Sequence, residues 1–214
     1  MNNLINYGQH FLVDKKVIRD FLQKCDLQSH ESVLEIGPGQ GVLTGELAAK
    51  AKSITAVEID QRLKPKLDKL IKQFSNLSVI YQNALKLQNF DYDLVCGALS
   101  YAIFEPLVIK LIKNMQFARA VFLVSDKVRE SQKEETGLLF YLLNAFFKID
   151  FSQRVLPAAF TPKPRTAGVI IKLIPSIPKD KRFLLWRERF LKDKTVWQQN
   201  NASLSEFDRQ ILYT

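Results

Sequence analysis

The 214-residue chain has few of the residues that bind metals or form disulfides: two cysteines and two histidines. Cys25 lies in a helix-like segment and Cys96 in a strand-like one, which predicts buried thiols rather than a disulfide. His10 and His30 show no zinc-ligand spacing with either cysteine, so we expect no metal site.

Long hydrophobic runs are also lacking. No run approaches the ~20 apolar residues that a membrane helix needs. The longest, GLLFYLLNAFF at 137–147, predicts a buried helix. The opening MNNLINYGQHFLVDK has no signal-peptide apolar core. We therefore expect a cytoplasmic protein that makes no contact with a membrane.

Acidic residues are fewer than basic ones, 22 against 31, and the net charge is +9. A basic balance indicates an anionic partner, with nucleic acid the first candidate. The length suits one domain with a small appendage. We expect the boundary after residue 175, with a domain at 1–175 and a short helical extension at 176–214.

Short apolar runs alternate with helix-like segments up to residue 125, which predicts an α/β fold with a parallel sheet covered on both faces. Two further strands, 149–157 and 167–175, are joined by a proline-containing link that favours an antiparallel end to the sheet. The other predicted strands are 32–36, 53–60, 77–85, 93–97 and 119–125. The predicted helices include 14–26, 42–51, 62–74, 106–115 and 127–148.

A glycine-rich turn, Gly37-Pro38-Gly39-Gln40-Gly41, follows the first of these strands and precedes a helix. Glu58 ends the next strand, where an acid can accept both hydroxyls of a ribose. The spacing departs from the dinucleotide fingerprint G-x-G-x-x-G, and Glu35 before the turn suits a cationic amine better than a phosphate. The pattern favours S-adenosylmethionine as cofactor, with an NAD-dependent enzyme as an alternative.

Several ordered motifs resemble the ribosomal RNA adenine dimethyltransferases of the KsgA, Erm and Dim type. They are GQHFLVD (8–14), VLEIGPGQGVLT (33–44), AVEID (56–60), NAL (83–85), GALSYAIFEPLVIKL (97–111) and VLPAAFTPKPRTAGVIIKLIP (155–175), with weaker similarity in KTVWQQN and NASLSEF (194–207). The resemblance implies a Rossmann-like class I S-adenosylmethionine-dependent methyltransferase fold with an antiparallel last strand. It also implies methyl transfer to adenine N6 in ribosomal RNA, with that RNA or the small ribosomal subunit as partner.

The resemblance also assigns site residues. Glu58 is expected to bind the cofactor ribose, Asn83 the adenine amino edge, and Tyr101 to stack on the target base near Phe160. The expected cofactor-binding residues are Gln9, His10, Leu12, Glu35, Gly37, Gly39, Gly41, Glu58, Ile59, Asn83 and Ala98. The expected catalytic residues are Leu99, Tyr101 and Phe160.

The sequence departs from the family at the catalytic loop, where Asn-Leu-Pro-Tyr is replaced by Ala98-Leu99-Ser100-Tyr101. In the family the asparagine side chain and the next backbone carbonyl accept hydrogen bonds from the adenine amino group. Ala98 cannot supply the first acceptor, whereas Leu99 can supply the second. Losing one preorganised contact of this kind costs ~10²–10³ in rate. Ser100 is expected to loosen the loop because proline restricts the backbone. His10 replaces the family's asparagine, and Asn83 an expected acid.

Three interpretations follow from these departures. The first is a methyltransferase acting on adenine N6 of ribosomal RNA, working as a monomer. The second is a catalytically impaired RNA- or ribosome-binding protein that keeps the fold, and the third is a methyltransferase for a non-RNA substrate. The basic segment KDKRFLLWRERFLKDK (179–194) suits either RNA contact or an amphipathic helix that packs Phe183, Trp186 and Phe190 onto the main domain.

Overall fold

The computed structural model describes residues 9–192, with the backbone alone for Tyr101. A seven-stranded sheet forms its centre, and a two-stranded sheet lies beside it. The strands are β1 Phe11–Leu12, β2 Ser32–Ile36, β3 Ser53–Glu58, β4 Leu77–Tyr81, β5 Tyr92–Ala98, β6 Phe117–Ser125, β7 Phe147–Val155, β8 Phe160–Thr161 and β9 Gly168–Pro175. The helices are α1 Lys15–Cys25, α2 Val42–Ala48, α3 Lys64–Gln73, α4 Tyr101–Lys113, α5 Lys127–Glu134, α6 Gly137–Phe146 and α7 Lys181–Lys192.

The strand order of the large sheet is β4-β3-β2-β5-β6-β9-β7. β2 to β6 pair in parallel, whereas β9 is antiparallel to both β6 and β7. The direction in which strands are added reverses beside β2. After β2 the chain adds β3 and β4 on one side, and it then crosses to the other side of β2 to add β5 and the later strands. Such a switch point is where open α/β sheets bind ligands. The predicted α/β fold with an antiparallel last strand is confirmed.

Helices cover both faces of the sheet because neighbouring residues of a strand point to opposite sides. Leu34 and Ile36 of β2 belong to the hydrophobic cluster that contains Phe104 of α4. Val33 belongs to the other cluster, with Phe21 of α1. This explains why the parallel strands are nearly continuous apolar runs.

Two predicted helices have different bounds. α4 begins at Tyr101, five residues before the predicted start, and Pro106 lies inside it although proline favours a first helical turn. The predicted helix 127–148 is two helices, because Glu135 (φ 52°) and Gly137 (φ 83°) adopt left-handed conformations that interrupt it. Its last two residues belong to β7.

The helix α7 packs through its aromatic residues. Trp186 and Phe190 are buried and stack on each other, with ring centroids 4.1 Å apart, and Trp186 also stacks on Tyr141. Phe183 meets Phe140 edge to face. The packing interpretation is therefore confirmed for Trp186 and Phe190, whose rings are buried. Phe183 is half-buried, and contact of this segment with RNA stays a prediction. The predicted boundary after residue 175 coincides with the end of β9 and stays a prediction.

Cys25 and Cys96 are buried thiols, as predicted. Within residues 9–192, no helix is both long enough and apolar enough to cross a membrane. The same part of the chain contains no group of His, Cys, Asp and Glu that could hold a metal ion. The motifs KTVWQQN and NASLSEF lie outside the described residues.

Candidate functional site

The glycine turn connects β2 to α2 at residues 37–41. Gly37, Gly39 and Gly41 all have positive φ angles, 69°, 58° and 83°, which side chains with a Cβ rarely adopt. A Cβ on Gly41 would clash with the Leu70 side chain of α3. Gly41 therefore permits close helix packing, and it does not line the cavity described below.

Glu58, the last residue of β3, connects β3 to the glycine turn through hydrogen bonds. Its Oε2 accepts a hydrogen bond from the Gly39 N–H at 3.1 Å, and its Oε1 accepts one from the Asp60 N–H at 2.8 Å. Burial raises the pKa of Glu58, although these backbone hydrogen bonds offset part of the rise. Each carboxylate oxygen keeps lone-pair capacity for a further donor, such as a ribose hydroxyl.

A cavity of about 510 Å³ opens where the strands meet the turn. Its volume is in the range of small-molecule sites. Eleven of the predicted site residues line it: Gln9, His10, Leu12, Gly37, Gly39, Glu58, Ile59, Asn83, Ala98, Leu99 and Phe160. One space therefore brings together nine of the eleven residues predicted for the cofactor and two of those predicted for catalysis.

Glu35 is the other described exception among the predicted residues. Glu35 lies in β2, is 1% exposed, and does not line the cavity. Burial raises the pKa of Glu35 to about 7, and its Oε2 has no hydrogen-bond partner within the described residues. Its predicted contact with the cofactor stays a prediction. The stacking role of Tyr101 concerns a side chain outside what the structure describes.

The loop at residues 98–101 forms the other end of the cavity. The Leu99 N–H donates to the Leu123 carbonyl at 2.8 Å, which fixes the loop to β6. Ser100 has φ −68° and ψ 153°, the conformation that a proline would adopt. Ser100 therefore keeps the loop in a proline-like conformation, and the expected loosening stays a prediction. The side-chain acceptor is what the loop lacks at Ala98.

The segment at residues 9–14 closes the cavity on a third side. β1 pairs with β8 so that Leu12 lies opposite Phe160, and the Val13 N–H donates to the Ala159 carbonyl at 2.9 Å. The His10 ring donates through Nδ1 to the Pro162 carbonyl at 2.7 Å. His10 thus holds this segment against the residues around Phe160, a connection that the sequence does not reveal.

Asn83 follows β4, and its Oδ1 accepts a hydrogen bond from the Leu85 N–H at 2.9 Å. This bond fixes the side chain at the cavity wall. A second lone pair on the same oxygen remains for an amino group. The geometry is compatible with the predicted contact to the adenine of the cofactor.

Asp60 lies behind the cavity wall and supports the site without lining it, a role that the sequence did not predict. It is 2% exposed, and the paired Arg62 guanidinium holds its pKa below the usual range. The Gln9 side chain lies close enough to Asp60 to lower that pKa further. A carboxylate only accepts hydrogen bonds, so the Gln9 amide NH₂ faces Asp60. The Gln9 Oε1, buried and without a partner among residues 9–192, then faces away from Asp60. The sequence signal for Asp60 is its position as the last residue of the AVEID motif.

These groups fit S-adenosylmethionine better than a dinucleotide. The polar atoms around the glycine turn include the acceptors Glu58 and Gln9, with Glu35 behind them. The negative charge of a pyrophosphate would be repelled by the carboxylate oxygens, and a pyrophosphate offers no hydrogen-bond donor to the amide oxygen. A ribose or an ammonium group supplies donors to both kinds of oxygen.

Comparison with known proteins places these features in a family. The model described as "Ribosomal RNA adenine dimethylase" matches residues 1–201. A probable ribosomal RNA small subunit methyltransferase A of Methanococcus maripaludis is 32% identical over 206 residues, covering 92% of this chain and 77% of that protein. The ribosomal RNA small subunit methyltransferase A of Clostridium botulinum is 31% identical over 180 residues, covering 78% and 66%.

Solved structures agree. A dimethyladenosine transferase from Plasmodium falciparum superposes with a TM-score of 0.72 at 28% identity, over 78% of this chain and 64% of that one. The 23S rRNA methyltransferase ErmE gives a TM-score of 0.70 at 25% identity, over 83% and 76%. The chain thus spans between 64% and 77% of the length of these proteins. The class I methyltransferase fold is confirmed.

Proposed function

The chain belongs to the ribosomal RNA adenine dimethylase family, and we propose that it is an S-adenosylmethionine-dependent methyltransferase acting on adenine N6 of ribosomal RNA. The proposal rests on one observation: a single cavity joins the Glu58 end of the site to the Leu99 end. A donor and an acceptor of a methyl group must share such a space, because direct transfer needs reacting atoms about 3 Å apart.

At the cofactor end, Glu58 would accept hydrogen bonds from the ribose and Asn83 from the adenine amino group. Ile59 and Leu12 add apolar wall. The bound cofactor supplies a methyl group made electrophilic by its sulfonium. The chain contributes a rigid cradle, because the Glu58 carboxylate is fixed by two backbone N–H groups before any ligand arrives.

At the other end, the backbone of Leu99 would hold the target adenine. The N6 lone pair is delocalised into the ring, so it becomes nucleophilic when acceptors fix the amino hydrogens. The Leu99 carbonyl is one such acceptor, in a loop anchored to β6 by the Leu99 N–H. Phe160, 8% exposed and held by the pairing of β8 with β1, offers an apolar surface to the base.

The partner that we propose is ribosomal RNA, free or in the small subunit, bound by a monomer. The net charge of +9 favours binding to phosphates. Lys127 lines the main cavity, and a smaller recess that shares Lys127 contains Arg154 and Arg165 together with Asp126 and Glu130. Lys127 is the basic residue that lies closest to the proposed site and would contact a phosphate there.

Incubation with methyl-labelled S-adenosylmethionine and unmethylated ribosomal RNA, or small subunits, tests the proposal. We expect labelled N6-methyladenosine or N6,N6-dimethyladenosine in a nuclease digest analysed by mass spectrometry. Absence of label, under conditions where the M. maripaludis relative modifies the same RNA, would refute it. Binding of RNA and S-adenosylhomocysteine without transfer would support the impaired RNA-binding protein, for which Ala98 is the motivating residue.

A further inference from the structure

Ser100 has an unused hydroxyl at the catalytic end of the cavity. It is exposed, lines the cavity, and occupies the N-cap position of α4. An N-cap serine usually accepts a hydrogen bond from a backbone N–H of the first helical turn. Ser100 makes no such bond, so its oxygen is available to a ligand.

The target adenine needs an acceptor that the loop no longer offers at its usual position. The N6 amino group has two hydrogens, and the Leu99 carbonyl can accept from one of them. Ala98 ends in a methyl group and accepts from neither. The family's proline at the position of Ser100 has no hydroxyl, so this chain loses one acceptor and gains another within three residues of the same loop.

We propose that the Ser100 hydroxyl accepts a hydrogen bond from the target adenine amino group and replaces the acceptor missing at Ala98. The inference rests on the proposed function and extends it to a specific catalytic residue. The hydroxyl has two lone pairs and donates its own hydrogen elsewhere. The proline-like backbone of Ser100 keeps the loop shape while the side chain supplies the chemistry.

Other polar groups of the cavity are less suitable. The hydroxyls of Ser125 and Thr166 lie 3.3 Å apart and are hydrogen-bonded to each other. Gln9 contacts Asp60, just beyond the end of β3, and β2 separates β3 from the strand that ends at Ala98. Ser100 is next to Leu99 in the chain and has no such competing partner within the described residues.

Four variants test the proposal in single-turnover assays with saturating S-adenosylmethionine: Ser100→Ala, Ser100→Thr, Ser100→Pro, and Ser100→Pro combined with Ala98→Asn. We expect Ser100→Ala and Ser100→Pro to slow methyl transfer about fivefold, since one hydrogen bond contributes about 1 kcal/mol. Ser100→Thr keeps the hydroxyl and should retain most of the rate. The double variant restores the family's acceptor and should recover the rate lost by Ser100→Pro.

A second measurement does not need turnover. With S-adenosylhomocysteine saturating, the wild-type protein should bind adenosine several-fold more tightly than purine riboside, which lacks the amino group. Ser100→Ala should reduce that preference towards one without changing the affinity for S-adenosylhomocysteine. Melting temperatures close to that of the wild type show that each variant is folded.

The outcomes separate this inference from the proposed function. Wild-type rates in both Ser100→Ala and Ser100→Pro, or an unchanged adenosine preference in Ser100→Ala, would overturn the role of Ser100 and leave the methyltransferase intact. A wild-type protein that transfers no methyl group and shows no adenosine preference would overturn both.

Discussion

The two ends of the cavity are built differently. At the cofactor end, Glu58 receives hydrogen bonds from Gly39 and Asp60, and Asp60 in turn is paired with Arg62. At the target end, the loop is anchored by one backbone hydrogen bond from Leu99, and its first side chain is the methyl group of Ala98. Under the proposed function, cofactor binding and target-base chemistry depend on separate groups. Substitutions at one end should affect the other end less.

The largest effect is expected at the cofactor end. Glu58→Ala removes both oxygens offered to the ribose and leaves two backbone N–H groups without their acceptor. Hydrogen bonds to charged groups contribute about 1.5–3 kcal/mol each, so affinity for S-adenosylhomocysteine should fall about 100-fold or more. Isothermal titration calorimetry measures the dissociation constant.

Glu58→Gln is the matched control for this variant. It keeps one acceptor oxygen in the same place, so its affinity should lie between those of the wild type and Glu58→Ala. Binding within threefold of the wild type in both variants would show that the ribose does not depend on Glu58, and the contrast between the two ends would be lost.

At the target end, Ala98→Asn restores the side-chain acceptor of the family. We expect methyl transfer to rise about tenfold, less than the ~10²–10³ that such a group can contribute, because Ser100 already supplies part of the interaction. Ala98 is also among the residues expected to bind the cofactor, so affinity for S-adenosylhomocysteine should change too, but by less than the rate of methyl transfer. Ala98→Val, of similar bulk near the backbone and without an acceptor, is the control and should gain nothing. A gain in Ala98→Val would contradict the hydrogen-bonding explanation.

A smaller effect should come from Asp60, which orients Gln9. Asp60→Asn can present either an NH₂ or an oxygen to Gln9, so the Gln9 oxygen no longer has one fixed direction. Affinity for S-adenosylhomocysteine should fall about three- to tenfold, the worth of one hydrogen bond. Gln9→Met should produce a similar loss, and the double variant should lose little more. Fully additive losses would show that the two residues act independently.

The sequence predicted most of the fold because the dominant signal was local. The apolar runs of β2, β5 and β6 reflect burial on both faces, and the glycines at 37, 39 and 41 mark a turn that needs positive φ. The predicted start of α4 was wrong because proline is typical of the first helical turn, which favoured a helix that begins at Pro106. The break between α5 and α6 was not predicted because a glutamate is not a sequence signal for the left-handed conformation that Glu135 adopts.

The site was predictable to the extent that its residues lie at strand ends. Glu58, Asn83 and Ala98 line one cavity because β3, β4 and β5 run in parallel and end at the same edge. Contacts between distant segments were not predictable. The hydrogen bond from His10 to Pro162 joins residues 152 positions apart, and no local pattern encodes it.

Glu35 tests how far the cofactor end extends into the protein. Burial raises the pKa of Glu35 from 4.5 to about 7, so between these pH values the unfolded chain releases a proton that the folded protein retains. Stability should therefore fall as pH rises from about 4.5 to 7, by roughly 3 kcal/mol, and then level off. Glu35→Gln should show a smaller decline in urea denaturation at pH 5 to 8, with the remainder due to Glu58 and Glu105, whose pKa values are also raised by burial. Glu46→Gln, on the exposed side of α2, should keep the full decline. Because Glu35 does not line the cavity, the substitution should change affinity for S-adenosylhomocysteine by less than twofold.

If instead affinity rises with pH through 7 in the wild type and not in Glu35→Gln, the ionised carboxylate attracts the cofactor's ammonium group. The cofactor end would then include a charge one layer below the cavity wall.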